Sequence, residues 1–156
     1  MKTFYLDTEF NGFLGRMISM ALVSDNLDIE FYEVLFPNTY CNPNGGIPLD
    51  PWVKKNVIPI LNKDPITVSE FQFKLEKFLM NNAEDGIIRI VADWPEDLTH
   101  FCKMLITGPG HRISLPELEL VYKPNIHYDS KIPHNALEDA RAIARTMVLN
   151  NSKYYD

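Results

Sequence analysis

The sequence predicts an α/β domain in which helices pack on a sheet that begins as an antiparallel meander. Near the start of the chain, three short segments rich in aromatic and β-branched residues follow one another through brief turns. Later segments carry apolar residues at helical spacing and alternate with at least one more strand. Strands that come first, followed by helices alternating with a strand, are typical of this fold class.

The composition is that of one ordinary domain, which we expect to span residues 1–156. Apolar residues make up 46% of the chain and charged residues 23%. A chain of this length can bury enough surface to fold without disulfides or a structural metal, so a bound metal is expected to be catalytic. The two cysteines, Cys41 and Cys102, are too few for a disulfide framework and favour a reducing, cytoplasmic compartment.

The charge and hydropathy of the chain exclude two classes of function. The net charge of −6 argues against a protein that coats DNA through Lys and Arg side chains. No apolar run is long enough to predict a membrane span. Nucleic acid as a substrate remains open, because divalent cations can lie between carboxylates and phosphates.

The first half of the chain predicts three strands, over residues 3–10, 16–24 and 29–36. Asn11, Gly12 and Gly15 favour a turn after the first strand, and Asp25 and Asn26 join the second to the third. Three consecutive strands with short connections indicate an antiparallel meander.

A segment rich in Pro, Asn and Gly over residues 37–51 predicts a surface loop that could carry a binding site. A helix should follow, with Asp50 as its N-cap and Pro51 at its first position. It is expected to run to Ile58, because Pro59 disturbs it.

The second half predicts two helices around a central strand, then a final helix. Residues 67–81 carry apolar residues at spacings of three and four, with Thr67 or Ser69 as the cap. The apolar run over 87–92 indicates a buried strand. The remaining elements are a helix over 95–106 that ends at Gly108-Pro109-Gly110, an ambiguous segment over 113–122 that can form a short strand, and a helix over 136–150.

Asp7 and Glu9 on the first strand are the first candidate site residues. Side chains two apart on a strand point to the same face, so both carboxylates project together. Two such acids repel each other, and a divalent metal with oxygen ligands relieves the repulsion. An ordinary exposed strand face is the alternative reading.

The start of the last helix is the second candidate. Asn135 can cap it, and Glu138 three residues later resembles a capping box, with Pro133 keeping the preceding residue extended. His134 then lies just before the helix, and Asp139 lies in its first turns, where the helix dipole favours an anion. Capping alone is a sufficient explanation for acids in this position.

The third candidate follows the central strand, where Asp93, Glu96 and Asp97 lie close together at a helix start. Either Asp93 or Asp97 could face the strand that carries Asp7, and we favour Asp97. A solvated helix N-terminus is the alternative.

Taken together, the three motifs resemble the DEDDh exonucleases of the ribonuclease H-like superfamily, which include polymerase proofreading subunits, ribonuclease T and oligoribonuclease. The resemblance rests on D-x-E in a first strand, a mid-chain Asp at a strand-to-helix junction and H-x4-D at a late helix, and it runs from Asp7 to Asp139. The segments DTEF, PWVKKNVIPIL and HNALEDAR are more closely similar to small stand-alone exoribonucleases of the adenylate-preferring mycobacterial type.

The central motif departs from that family. Many members show H-N-A-x-F-D, whereas this chain has Asp93-Trp94-Pro95-Glu96-Asp97, which is one residue shorter. Matching the helix that follows places Asp97 on the family's aspartate and Asp93 near its histidine position.

The resemblance implies a ribonuclease H-like mixed sheet with three antiparallel strands, then parallel strands, flanked by helices. It implies a metal-dependent 3′ to 5′ exonuclease that hydrolyses single-stranded RNA, with DNA as the second candidate substrate, from a free 3′ end to nucleoside 5′-monophosphates. Two divalent ions, Mg²⁺ or Mn²⁺, would be held by Asp7, Glu9, Asp97 and Asp139. His134 would take the proton from the attacking water.

The same resemblance implies substrate contacts and a homodimer. Glu9, with the backbone around Phe10 and Asn11, would lie near the terminal ribose, and Phe10, Phe13 or Trp94 would stack on a base. His100, His111 and His127 match no motif and are expected to be surface or structural residues.

Two rival functions remain. An endonuclease that cuts the RNA of a hybrid shares the strand carboxylate, but the histidine before Asp139 favours an exonuclease. A catalytically silent nucleic-acid-binding or protein-binding module would keep the fold, but the full set of four acids and a histidine argues against it.

Overall fold

The computed structural model describes residues 1–84 and 86–152, except for the side chains of residues 151 and 152. Position 85 and residues 153–156 of the predicted domain lie outside the described residues. In chain order the strands are β1 (Lys2–Phe10), β2 (Met17–Ser24), β3 (Glu30–Val34), β4 (Ile87–Ala92), β5 (Ile106–Gly108), β6 (His111–Arg112) and β7 (Glu117–Tyr122). The helices are α1 (Pro37–Tyr40), α2 (Pro51–Asn56), α3 (Val68–Asn81), α4 (Pro95–Met104) and α5 (Ala136–Ser152).

Five of the strands form one mixed sheet in the order β3-β2-β1-β4-β7. The first three strands are antiparallel, as the short turns between them predict. β4 is parallel to β1, and β7 is parallel to β4. The predicted α/β class, with a mixed sheet flanked by helices, is therefore confirmed, and the ambiguous segment over 113–122 supplies the edge strand β7.

Helices cover both faces of the sheet. On one face, Phe71, Leu75 and Leu79 of α3 lie four residues apart and are fully buried, in a core that also contains Phe4 and Leu6 of β1. The other face is covered by α5, whose buried residues are mostly small and form a second cluster with Tyr5, Ala21, Val23 and Val91: Ala136, Ala140, Ile143, Ala144 and Met147. Small side chains allow this helix to lie close to β1 and β2.

Two helix starts follow the predicted capping. The Asp50 carboxylate accepts hydrogen bonds from the backbone N–H groups of Trp52 (2.8 Å) and Val53 (3.0 Å) at the start of α2. Thr67, and not Ser69, caps α3, because its hydroxyl accepts from the N–H of Glu70.

Several boundaries differ from the prediction. The helix expected over 95–106 ends at Met104, and a small hairpin of β5 and β6 follows, with Gly110 in a left-handed conformation (φ 72°) at its turn. The expected loop over 37–51 contains α1 and a 3₁₀ turn at Pro43–Gly45. The helix expected to reach residue 58 ends at Asn56, and a 3₁₀ turn at Ile58–Ile60 surrounds the proline that disturbs it.

Nothing in the described ranges forms a helix with the length and hydropathy needed to cross a membrane.

We expect Leu75→Ala to lower the free energy of unfolding by about 2–5 kcal/mol, because it leaves a cavity beneath the sheet. Met80→Ala on the same helix is the control, since Met80 is 48% exposed, and its effect should stay within about 0.5 kcal/mol. Urea unfolding followed by circular dichroism measures both. Equal losses in the two variants would contradict the assigned orientation of α3.

Candidate metal centre

β1 carries two acids near its C-terminal end, and this strand lies next to β4 in the sheet. Asp7 and Glu9 alternate with Thr8, so the two carboxylates lie on the face covered by α5 and Thr8 lies on the opposite face. Asp7 is almost completely buried, at 8% exposure. The pairing of β1 with β2 is irregular between Glu9 and Phe10, where the strand leaves the sheet.

β4 and α4 bring a second set of acids to the same edge. β4 runs parallel to β1 with Tyr5 opposite Val91, so Asp93, two residues further along, leaves the sheet beside Asp7. Asp97 lies in the first turn of α4 and is 2% exposed. Carboxylate oxygens of Asp7, Asp93 and Asp97 all lie within 4.8 Å of one another. The structure therefore places both central acids next to Asp7, not only the favoured Asp97.

Thr8 holds Asp97 in position, although sequence analysis assigned it no role. Its hydroxyl donates a hydrogen bond to Asp97 Oδ1 (2.6 Å), and its backbone N–H donates to the same oxygen (3.2 Å). The alternation of β1 makes this possible, since it points Thr8 toward α4. This period of two is the signal that could have identified the contact.

The start of α5 supplies the third set. Asn135 is the cap, because its Oδ1 accepts from the N–H of Glu138 (3.1 Å), while its Nδ2 donates to the carbonyl of Ile60 (2.8 Å). The return bond of a capping box is absent among the described residues, since the Asn135 N–H donates to Ile132 and Glu138 accepts from Arg141. The predicted capping box is therefore only half formed.

His134 lies just outside α5, as predicted, and its backbone is in the left-handed region (φ 70°). Its N–H donates to Asp139 Oδ2 (3.0 Å), so the acid fixes a conformation that a residue with a side chain seldom adopts. The exposed imidazole packs edge-on against Trp52 of α2, with ring centroids 4.8 Å apart. One ligand atom each from Glu9, His134 and Asp139 lie within 4.8 Å of one another.

These groups line one pocket of about 290 Å³. It contains all five residues predicted to be catalytic, together with Asp93 and three aromatic side chains: Phe10, Trp94 and Tyr128. Tyr128 belongs to the segment between β7 and α5. No sequence motif includes Tyr128. Its closeness to His134 along the chain is the only signal that could have suggested its position in the pocket.

Two aromatic residues predicted to bind substrate line the pocket, whereas Asn11 does not. Phe10 and Trp94 line the pocket, and Trp94 is 54% exposed. Asn11 is buried, and its side chain is engaged elsewhere: Nδ2 donates to the carbonyls of Tyr40 and Pro48 (both 2.9 Å), and Oδ1 accepts from the Asp50 N–H (2.8 Å). Asn11 thus ties the end of β1 to the segment before α2.

Burial and mutual repulsion hold the acids in an unusual state. Burial raises the pKa of Asp7 well above its usual range, and the charges of Asp97 and Glu9 raise it further. Burial, followed by the charge of Asp139, raises the pKa of Glu9 to about 8. Burial raises the pKa of Asp97 to about 7, although the hydrogen bond from Thr8 opposes the shift.

The pKa values of the outer members of the cluster are raised as well. Burial raises the pKa of both Asp93 and Asp139, and at Asp139 the nearby Ser130 hydroxyl, followed by the His134 N–H, works against the shift. Burial also raises the pKa of Tyr128, and the neighbouring acids, Asp7 first among them, raise it further. The Tyr128 hydroxyl therefore stays protonated beside the acids.

The donor set suits divalent cations that prefer oxygen ligands. Within the described ranges, Asp7 Oδ2 and Asp139 Oδ1 are buried and lack a hydrogen-bond partner. Buried carboxylate oxygens left without donors are costly unless a cation or a proton satisfies them. Because the donors are mainly carboxylates with a single imidazole, Mg²⁺ and Mn²⁺ fit them better than Zn²⁺ does.

A scan against models of known protein families finds no match for the chain, and a search of curated proteins finds no relative. The resemblance to DEDDh exonucleases therefore rests on the sequence motifs alone.

We expect the metal-free protein to lose stability as pH rises from about 4 to about 8, because Glu9 and Asp97 have higher pKa values in the folded chain than their ordinary values. The folded protein binds more protons than the unfolded chain over this interval, so their contribution is complete below it and is lost above it. Urea unfolding in EDTA across this range measures the slope. Glu9→Gln should flatten the slope, whereas Glu84→Gln, at an exposed site, should leave it unchanged; equal slopes in all three proteins would contradict the assignment.

We expect Mn²⁺ to raise the melting temperature, since binding at 100 times the dissociation constant stabilises a fold by about 2.7 kcal/mol. Asp97→Asn should remove most of this shift and still accept the hydrogen bonds from Thr8. Asp64→Asn, at an exposed position, is the matched control and should keep the full shift. Thermal melts with and without MnCl₂ provide the comparison, and a full shift in Asp97→Asn would show that the ion binds elsewhere.

Proposed function

We propose that this protein is a metal-dependent 3′ to 5′ exonuclease that acts on single-stranded nucleic acid, RNA in the first place, and that its fold is ribonuclease H-like. One observation carries the proposal: five acids and a histidine from β1, the β4–α4 junction and the start of α5 converge on one pocket. These are the positions that the family motifs occupy along the chain. The mixed sheet is compatible with that fold.

The charge of the pocket supports a cofactor-dependent reaction. A phosphodiester is an anion, and buried carboxylates would repel it. Asp7, Glu9, Asp97 and Asp139 are the residues that would hold two divalent ions, with Asp93 close enough to contribute. When bound, the ions supply positive charge that attracts the phosphate, activates water and offsets the charge that develops in the transition state.

His134 is the general base of the proposed reaction. Its imidazole is exposed at the pocket, where it can reach a water molecule, and imidazole is the side chain that most often accepts a proton in such reactions. The edge of Trp52 limits the orientations open to the ring, and the bond from the His134 N–H to Asp139 fixes the backbone beneath it. Both contacts reduce the reorganisation needed for proton transfer.

The pocket favours a strand end over an internal site. Its volume of about 290 Å³ suits one nucleotide, and Trp94 and Phe10 offer aromatic faces beside the acids. A catalytically silent binding module is the less favoured alternative, because it would have no use for two buried carboxylate oxygens without hydrogen-bond donors in the described part of the chain. An endonuclease differs from an exonuclease in that it cleaves a substrate that has no free 3′ end.

The proposal extends to location and assembly. Cys41 and Cys102 are free thiols in the described part of the chain, which agrees with a cytoplasmic, reducing location. A homodimer follows from the resemblance alone, and sedimentation at micromolar concentration tests it: a species of 18.0 kDa only would contradict it.

We expect the wild type with Mg²⁺ to shorten a 5′-labelled single-stranded oligoribonucleotide stepwise from its 3′ end. His134→Ala and Asp97→Asn should each lower kcat by about 10²–10⁴-fold, the usual range for losing a general base or a charged catalytic group. His127→Ala, on the same segment and exposed, is the control and should retain full activity.

Two outcomes would contradict this function. Cleavage of circular RNA, which has no 3′ end, would indicate an endonuclease. Equal trace activity in the wild type and His134→Ala would favour the binding module.

A further inference from the structure

A second pocket lies directly behind the wall of the metal centre. It has a volume of about 190 Å³ and lies between the turn after β1, the start of α3 and the end of α4. His100 of α4 lines it and packs against Phe10 with ring centroids 5.0 Å apart, while Phe10 lines the metal centre. The two pockets therefore share a wall formed by this pair of tilted rings.

The lining of this second pocket combines apolar surface with positive charge. Its apolar part comes from Leu14 together with Met17, Leu35, Val68 and Met104. Arg16 and Lys103 are exposed and line it as well. In a chain of net charge −6, with a strongly acidic pocket beyond the ring pair, two cations at one small cavity favour an anionic ligand.

His100 adds a polar group for which the described fold provides no use. It is 5% exposed, and its Nε2 is buried without a hydrogen-bond partner among the described residues. Burial, and then the charge of Lys103, lower the pKa of His100, so the ring is neutral and Nε2 can donate or accept according to its tautomer. A ligand with a heterocyclic edge would supply the missing partner.

We propose that this pocket binds the nucleotide immediately upstream of the scissile phosphate, with its base over the apolar lining beside His100 and its phosphodiester against Arg16 and Lys103. The inference rests on the proposed function and deepens it, because it assigns the path of the substrate strand. The strand passes over Phe10, so the terminal nucleotide lies in the acidic pocket and its neighbour lies in the basic one. Aromatic and apolar surface combined with cations is the usual way in which proteins hold a single strand without reading its sequence.

The test compares two substrates that differ only beyond the scissile bond. Hexa-adenylate contains upstream nucleotides, whereas the p-nitrophenyl ester of a nucleoside 5′-monophosphate contains the scissile phosphate and none. We expect the double variant Arg16→Ala/Lys103→Ala to raise KM for hexa-adenylate about tenfold, because it removes two exposed cationic contacts to the phosphodiester. Its kcat/KM for the p-nitrophenyl ester should equal that of the wild type.

The salt dependence of KM provides a second test of the same contacts. The slope of log KM against log salt for hexa-adenylate should decrease by about 0.7 in the double variant, the value for one phosphate contact on a single strand. Lys77→Ala/Lys123→Ala is the matched control, because it removes the same charge from α3 and from the end of β7. It should keep the wild-type KM and slope.

A third variant tests the cavity itself. Val68 is 37% exposed at the start of α3, so Val68→Trp fills the pocket without entering the core. It should raise KM for hexa-adenylate and leave the p-nitrophenyl ester unaffected. If the wild type hydrolyses both substrates and all variants match it on both, the upstream site is wrong while the exonuclease stands; if the wild type hydrolyses neither, the proposed function itself fails.

Discussion

The burial of carboxylates at one edge of the sheet, together with their mutual repulsion, is the constraint on which the rest of this structure depends. Asp7, Glu9, Asp97 and Asp139 come from three separate elements, and each is partly or wholly removed from water. Without a counter-ion, Glu9 and Asp97 retain protons to about neutral pH, because their pKa values are raised to about 8 and about 7, and the pKa values of Asp7 and Asp139 are raised in the same direction. The fold therefore accepts an unfavourable local arrangement that only protons or cations relieve.

Features around the cluster hold the acids in place in spite of this repulsion. Thr8 gives two hydrogen bonds to one oxygen of Asp97, and the N–H of His134 gives one to Asp139. Asn11 and Asn135 use their amide groups to join distant backbone segments just outside the pocket. Hydrogen bonds from neutral groups thus hold the acidic side chains in position, and the acids stay available to a ligand. This arrangement is expected of a preorganised site.

The sequence predicted those parts of the structure that depend on local pattern. Alternation along β1 placed Asp7 and Glu9 on one face, apolar spacing located α3, and capping residues located the start of α5, because these signals lie within a few residues of one another. The hairpin of β5 and β6 was missed, since two strands of two or three residues leave too short a pattern. The position of Tyr128 and the choice between Asp93 and Asp97 depend on how separate segments meet, and that information is absent from any one stretch of sequence.

The left-handed backbone of His134, tied to Asp139, makes these two positions genetically interdependent. One oxygen of Asp139 accepts the hydrogen bond from the His134 N–H and the other has no hydrogen-bond partner in the described chain, so a change at residue 139 would disturb the proposed general base and the proposed metal ligand at the same time. Glycine at residue 134 would adopt the left-handed conformation without strain. The hydrogen bond to Asp139 would then no longer be needed to hold the backbone in that conformation. The two positions should therefore show strong epistasis, and sequence drift would keep both or lose both.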